Sequence, residues 1–152
     1  TSIWFETCAC ASSPVSDAQA QVSNQIDVVS ATGETPGRGT VETLTLVVKK
    51  SPGSDPIDLD DATIEYTSAD NSATLTTGGT NVTLNPISAT GNGDTQLDDT
   101  SERIEIEIDL TTAASALAEG ERAELLIVDQ SGATTTYGVN VPDVLNGEYA
   151  SV

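Results

Sequence analysis

The sequence predicts an all-β domain: two antiparallel sheets forming a sandwich of about seven or eight strands, behind a short irregular or helical N-terminal segment. Three observations predict it. The interior segments are crowded with Val, Ile and Thr while aromatics amount to one Trp, one Phe and three Tyr, a composition that favours strands around an aliphatic core. Apolar residues recur at period two, which places alternate side chains on one face of a pleated strand. Clusters of Gly, Pro, Asn and Asp interrupt these runs at roughly 8–12-residue intervals, the spacing of a sandwich or barrel. The 152 residues, 37% of them hydrophobic, allow one domain with a lean core.

Residues 1–17 fit no periodic template and are expected to be an irregular segment, non-native or wrongly assigned, ahead of a β-domain spanning residues 18–152. Cys8 and Cys10 are too close in sequence for a strain-free disulfide and, with no histidine in the chain, make a poor zinc site. The segment shows no basic n-region or apolar h-region of a secretory signal. No run of the chain approaches the ~20 apolar residues of a membrane span.

Val22 and Ile26, four apart, suit a helix end, and Ile26, Val28 and Val29 then read as extended up to Thr32-Gly33. Pro36, Gly37 and Gly39 mark a loop. In residues 40–50, Leu44, Leu46 and Val48 alternate with Thr43, Thr45 and Val47, predicting a strand with one buried face; Pro52, Gly53 and Pro56 end it. Ile57-Asp58-Leu59 is a short extended piece, and Ile64 and Tyr66 share a face within residues 62–68. Leu75, then Val82 and Leu84, flank Gly78-Gly79, which predicts a hairpin turn. Residues 91–100 read as a polar loop. The strictest alternation follows: Ile104, Ile106, Ile108 and Leu110 on one face, Glu105, Glu107 and Asp109 on the other, a half-buried antiparallel strand. Alanine-rich residues 111–119 suit one helical turn before Gly120. Leu125-Leu126-Ile127-Val128 reads as a central strand, and after a turn at residues 130–133 Tyr137, Val139 and Val141 alternate. The two sheets are expected to pack in the immunoglobulin-like manner.

Charge narrows the function. Asp and Glu number 24 against five Lys and Arg, for a net charge of −19. Such a surface repels phosphate backbones and anionic lipids, which argues against nucleic-acid and membrane-surface partners. The absence of histidine removes Ser-His-Asp and Cys-His relays. Because the apolar periodicity argues against disorder, the acidity reads as the exterior of a folded protein, either one adapted to high salt or an acidic secreted one. No phosphate-binding Gly-rich motif is present: Gly91-Asn92-Gly93 sits in an acidic loop. No small-molecule substrate or cofactor is expected.

Two carboxylate clusters invite comparison with Ca²⁺ sites: Asp55, Asp58, Asp60 and Asp61 around a Pro-bounded turn, and Asp94, Asp98 and Asp99. Calcium takes six to eight oxygens, yet neither cluster has EF-hand spacing. Asp58, Asp60 and Asp61 are the candidate cation ligands. Glu105, Glu107 and Asp109 are expected to be a solvated row, since the paired acids of a glycosidase converge from separate segments. Asn81-Val82-Thr83 is an N-glycosylation sequon if the chain is exported.

Three segments taken together resemble an archaellin, the subunit of the archaeal flagellum, of the haloarchaeal type. The first is residues 21–33, Gln-Val-Ser-Asn-Gln-Ile-Asp-Val-Val-Ser-Ala-Thr-Gly. The second is residues 41–66, with the Lys50-Ser51-Pro52-Gly53-Ser54 break and Asp58-Leu59-Asp60-Asp61-Ala62-Thr63-Ile64. The third is residues 121–148, where Leu125-Leu126-Ile127-Val128-Asp129-Gln130-Ser131-Gly132-Ala133 leads to Tyr137-Gly138-Val139-Asn140-Val141-Pro142. The resemblance implies an extracellular filament subunit that polymerises with itself or with other archaellins, through an apolar N-terminal helix absent from this chain and with membrane contact only during assembly. It also implies an immunoglobulin-like outer domain, N-glycosylation that only Asn81 matches, and metal in the outer domain of some relatives. Two other classes stand against it: an immunoglobulin-like binding or adhesion module of a surface-layer or pilus protein, which for sugars would draw on Tyr66, Tyr137 and Tyr149, and a hydrolase built on paired acids.

Overall fold

A computed structural model describes residues 25–37, 39–87, 95–114 and 116–152. The 1–17 segment with Cys8 and Cys10, the helix end at Val22, and Asp94 with the Gly91-Asn92-Gly93 stretch lie outside the described residues. In chain order the elements are β1 (Ile26–Glu34), β2 (Thr40–Val41), β3 (Thr43–Lys50), β4 (Ile57–Asp58), β5 (Thr63–Ser68), β6 (Ser72–Thr76), β7 (Val82–Pro86), β8 (Gln96–Leu97), β9 (Ile104–Asp109), α1 (Leu110–Ala113), β10 (Leu117–Ala118), β11 (Arg122–Val128), β12 (Thr134–Asn140) and β13 (Tyr149–Ser151). Eight of these strands have five residues or more, in line with the seven or eight expected; the others are bridges of two or three residues.

All pairings are antiparallel. One sheet has the order β13-β1-β3-β9-β7 and the other β12-β11-β5-β6, with β2–β10 and β4–β8 as small separate pairs. The long strands come two by two, alternating between sheets: β1 and β3 in the first, β5 and β6 in the second, β7 and β9 back in the first, β11 and β12 in the second. Their inward faces fill one continuous core. Leu44, Leu46, Val48, Ile104, Ile106 and Ile108 meet Ile64, Tyr66, Leu125, Ile127 and Val139 there, the interdigitated packing that defines a sandwich.

The period-two reading of β3 and β9 holds residue by residue, with alternate side chains buried along each. β1 does not alternate cleanly because it carries a bulge: the register with β3 slips between Val28 and Ser30, leaving Val29 exposed and resetting the inward phase to Ala31 and Gly33. At Gly33 a Cβ would stand 2.7 Å from Cγ1 of the buried Val41, so the missing side chain is what lets β2 close over β1. Residues 40–50 are two strands rather than one, since Glu42 interrupts the ladder and β2 leaves to pair with β10.

The hairpin expected across Gly78-Gly79 does not form. β6 pairs with β5 in one sheet and β7 with β9 in the other, so these glycines carry the chain between sheets. The buried Thr77 directs the change: its hydroxyl donates to the carbonyls of Asp60 at 2.8 Å and Ala62 at 3.2 Å, while Val82 buries itself opposite Ile108. The polar loop expected over residues 91–100 also contains structure, because Leu97 is fully buried and pairs with Ile57. The helical turn falls at Leu110–Ala113, at the start of the alanine-rich stretch.

Candidate functional site

The carboxylates singled out in the sequence lie in three settings. Those of β9 lie in one row along the outward face of the five-stranded sheet. Glu105 accepts from Asn85 Nδ2 at 3.3 Å, and Asp109 caps α1. Its Oδ1 accepts from the Thr111 hydroxyl at 2.6 Å, the Thr111 N–H at 3.0 Å and the Thr112 N–H at 3.4 Å. The Thr111 hydroxyl first, then these backbone donors, hold the Asp109 carboxyl below the usual carboxylate range. A row on one strand leaves its members side by side on an open face, not opposed across a cleft as paired catalytic acids are.

The Asp55–Asp61 turn is organised by its own hydrogen bonds. Asp58 Oδ1 accepts from the Asp60 N–H at 2.9 Å, and Asp61 Oδ2 accepts from Gln130 Nε2 at 2.7 Å; Asp60 is exposed. Asp58 and Asp61 therefore serve as turn and cross-loop acceptors. Among the described residues no group of three or more Asp, Glu, Cys or His side chains is gathered as a metal ion requires.

The Asp98-Asp99 loop is fastened from beneath by Glu102 and Lys50, neither of them a candidate site residue in the sequence reading. Glu102, 8% exposed, accepts from the N–H groups of Asp98 at 2.6 Å and Asp99 at 2.9 Å. Lys50, also 8% exposed, donates from Nζ to the Asp98 carbonyl at 2.8 Å. Asp99 in turn accepts from the Ser101 N–H at 3.0 Å, which lowers its pKa. The one available signal was spacing: Glu102 follows Asp98 by four residues and Asp99 by three, the reach of a carboxylate back to preceding N–H groups.

Asn81 stands just ahead of β7, an edge strand. Its carbonyl accepts from the Asp109 N–H at 3.0 Å and its Oδ1 from the Thr112 hydroxyl at 3.0 Å. These bonds hold the amide through its oxygen and leave the nitrogen, which a glycan would join, out of them. Val82 is buried and Thr83 exposed. The tyrosines do not form a sugar platform. Tyr66 is fully buried, Tyr137 donates from its hydroxyl to the Val152 carbonyl at 3.1 Å, and only Tyr149 stands out, 65% exposed. Among the described residues the Tyr66 hydroxyl has no hydrogen-bond partner. Burial raises its pKa, and Ser68 lies near enough to oppose the shift without reaching hydrogen-bond geometry.

The fold is a β-sandwich with an acidic exterior, and the sequence model of the archaeal-type flagellins matches residues 4–139. The chain belongs to the archaeal-type flagellin family. Among curated flagellins, flagellin B2 of Halobacterium salinarum is 38% identical over 143 residues, covering 88% of this chain and 72% of that protein. The crystal structure of archaeal flagellin FlaB1 from Methanocaldococcus jannaschii superposes with a TM-score of 0.71 at 12% identity, covering 84% of this chain and 96% of that one. The archaeal flagellum of Methanospirillum hungatei strain JF1 gives a TM-score of 0.64 at 21% identity, over 97% of this chain and 84% of that one. At those identities the two structures establish the flagellin fold, while the Halobacterium relative and the family match establish kinship.

Proposed function

We infer that this chain is a structural subunit of the archaeal flagellum, the archaellum, self-associating without covalent links into an extracellular motility filament. The observation that carries this is the family match, which runs from residue 4 to residue 139 and takes in all but the last residue of the eight long strands. The physical chemistry agrees. Asp58, Asp99 and Asp129 cap turns, Glu102 fastens a loop and the β9 acids coat an outward face, and the net charge of −19 suits a surface kept soluble in concentrated salt. Deletion of the gene should abolish filaments seen by electron microscopy and swimming in soft agar, and a plasmid copy should restore both. Filaments of unchanged composition and number in the deletion strain would refute the reading.

Two finer features belong to the same proposal. Like charges on neighbouring copies repel, and molar salt shortens the screening length to about 3 Å. Contacts between sandwiches, in a homopolymer or with other flagellins, should therefore weaken as salt is diluted to tens of millimolar. Light scattering that stays constant through that dilution would rule out the electrostatic account. Asn81 is proposed as a glycan attachment site. Mass spectrometry of filament peptides should show a modified Asn81 that becomes unmodified in Thr83→Ala; an unmodified parent peptide would dismiss it.

A further inference from the structure

The end of the four-stranded sheet at Arg122 holds an open groove of about 320 Å³, lined by Thr67, Ser68, Arg122, Glu124, Gly138 and Asn140 among others. Gly138 is its anomaly. It sits inside β12 in regular register with Glu124, without a bulge, and its φ is not among the positive ones. A Cβ built there meets nothing within 4 Å. Neither backbone conformation nor packing against the described residues requires glycine, although glycine weakens a strand interior; the remaining use of a bare strand position is close approach by another backbone.

The strand that carries it is open to such an approach. β12 is an edge of its sheet, and its seven residues, Thr-Thr-Thr-Tyr-Gly-Val-Asn, contain no charge and no proline, the devices that usually blunt an edge. The other sheet covers its first half: Thr135 Oγ1 accepts from the Ile26 N–H at 3.3 Å, and Tyr137 bonds to Val152. Beyond it Gly138 and Asn140 are exposed on either side of the buried Val139. The edges of the other sheet are shorter: β7 ends in Pro86 and β13 has three residues.

Charge selects the occupant. Two copies of a chain with net charge −19 repel each other over most of their surfaces, so a contact is most favourable where a cation is accessible. Among the described residues Lys49, Lys50 and Arg103 are buried or half-buried, and only Arg122 is an exposed cation. Lys50 and Arg103 are moreover engaged with loop carbonyls within the chain. The exposed guanidinium and the bare glycine lie at one end of one sheet.

We propose that the Arg122–Gly138 groove is a contact between neighbouring copies of this chain in the filament, where the main chain of one copy lies over Gly138 and a carboxylate of that copy pairs with Arg122. This rests on the filament-subunit reading above and names the surface that reading leaves open. Gly138→Thr replaces glycine by a strand-forming residue with room for its side chain, so the isolated subunit should melt at a higher temperature, while Gly138→Trp fills the groove.

The test expresses the protein in full in a haloarchaeal host and measures filament yield and the subunit concentration needed for regrowth from seeds. Both Gly138 variants and Arg122→Glu should raise that concentration at least tenfold, Arg122→Lys should recover most of the loss, and Thr74→Trp on β6, the far edge of the same sheet, should stay within twofold of the parent. If Gly138→Trp fails to fold, Gly138→Thr and the Arg122 pair decide the matter. A parent that assembles together with variants that assemble equally well overturns the groove contact and leaves the subunit reading standing. A parent that never assembles sinks the subunit reading itself.

Discussion

The outward faces of the two sheets are built differently although their inward faces share a core. On the five-stranded sheet the register sets Glu107 between Thr45 and Thr83, and Glu105 between Val47 and Asn85. On the four-stranded sheet Leu126 stands between Glu65 and Thr136, and Val128 between Thr63 and Thr134. The central strands explain the contrast. β9 spends every aliphatic residue inward, whereas β11 has four in succession and buries only Leu125 and Ile127 fully, leaving Leu126 and Val128 half-covered by threonines. One face is a carboxylate coat that repels its own kind; the other is a nearly neutral threonine surface with an aliphatic seam.

The sharpest test of the shared core is truncation on both sides of it. Ile106→Ala and Ile127→Ala each remove a fully buried side chain and should each cost about 2–5 kcal/mol, in a single thermal transition followed by circular dichroism in high salt. Two separate transitions would break the one-core picture. Next in size, Gly33→Ala forces a methyl against the stiff, buried Val41 and should cost about 1–3 kcal/mol as an overpacked site; loss below ~0.5 kcal/mol would mean that β2 moves aside freely. Asp109→Ala removes the cap of α1 and should cost about 1 kcal/mol. Its pH dependence has a definite sign. The folded Asp109 pKa is depressed, so its contribution is present above the ordinary aspartate pKa and disappears as pH falls through the lower folded value. The difference between parent and variant should therefore be largest near neutral pH and shrink as pH falls, and a difference that grows in acid contradicts the capping role. Smallest, Glu107→Gln and Leu126→Gln should each shift monomer stability by about 0.5 kcal/mol or less, but Glu107→Gln should reduce the salt dependence of that stability while Leu126→Gln leaves it unaltered.

The contrast between β9 and β11 also marks how far the sequence could be read. β9 was legible in every residue because alternation and burial coincide. β11 was legible as a central strand, but an unbroken aliphatic run carries no phase, so which members face outward emerges only from the register with β5 and β12. β2, β8 and β10 are two residues long, too short to show any period; β4 was readable as the extended piece Ile57-Asp58-Leu59, but its pairing, like theirs, depends on distant segments. The crossing at Gly78-Gly79 was missed because periodicity reports a strand's existence and not its sheet. Among the polar residues, the sequon and the acid row were visible as patterns. The Lys50–Glu102 fastening was not, because its parts lie 52 positions apart in the chain and meet only through the Asp98 loop. The role of Gly138 is not legible in sequence, because the meaning of a glycine lies in the space around it.

The pairing of β1 has a mechanical consequence. It is held by β3 from Ile26↔Lys50 to Glu34↔Thr43 on one side and by β13 from Thr32↔Ser151 to Glu34↔Tyr149 on the other, and it is the first of the described strands. A pull applied ahead of Ile26 along the strand axis loads these ladders in shear, so that many hydrogen bonds resist together instead of opening one after another. In a filament that transmits torque, the sandwich would behave as a stiff body towed by one well-anchored strand.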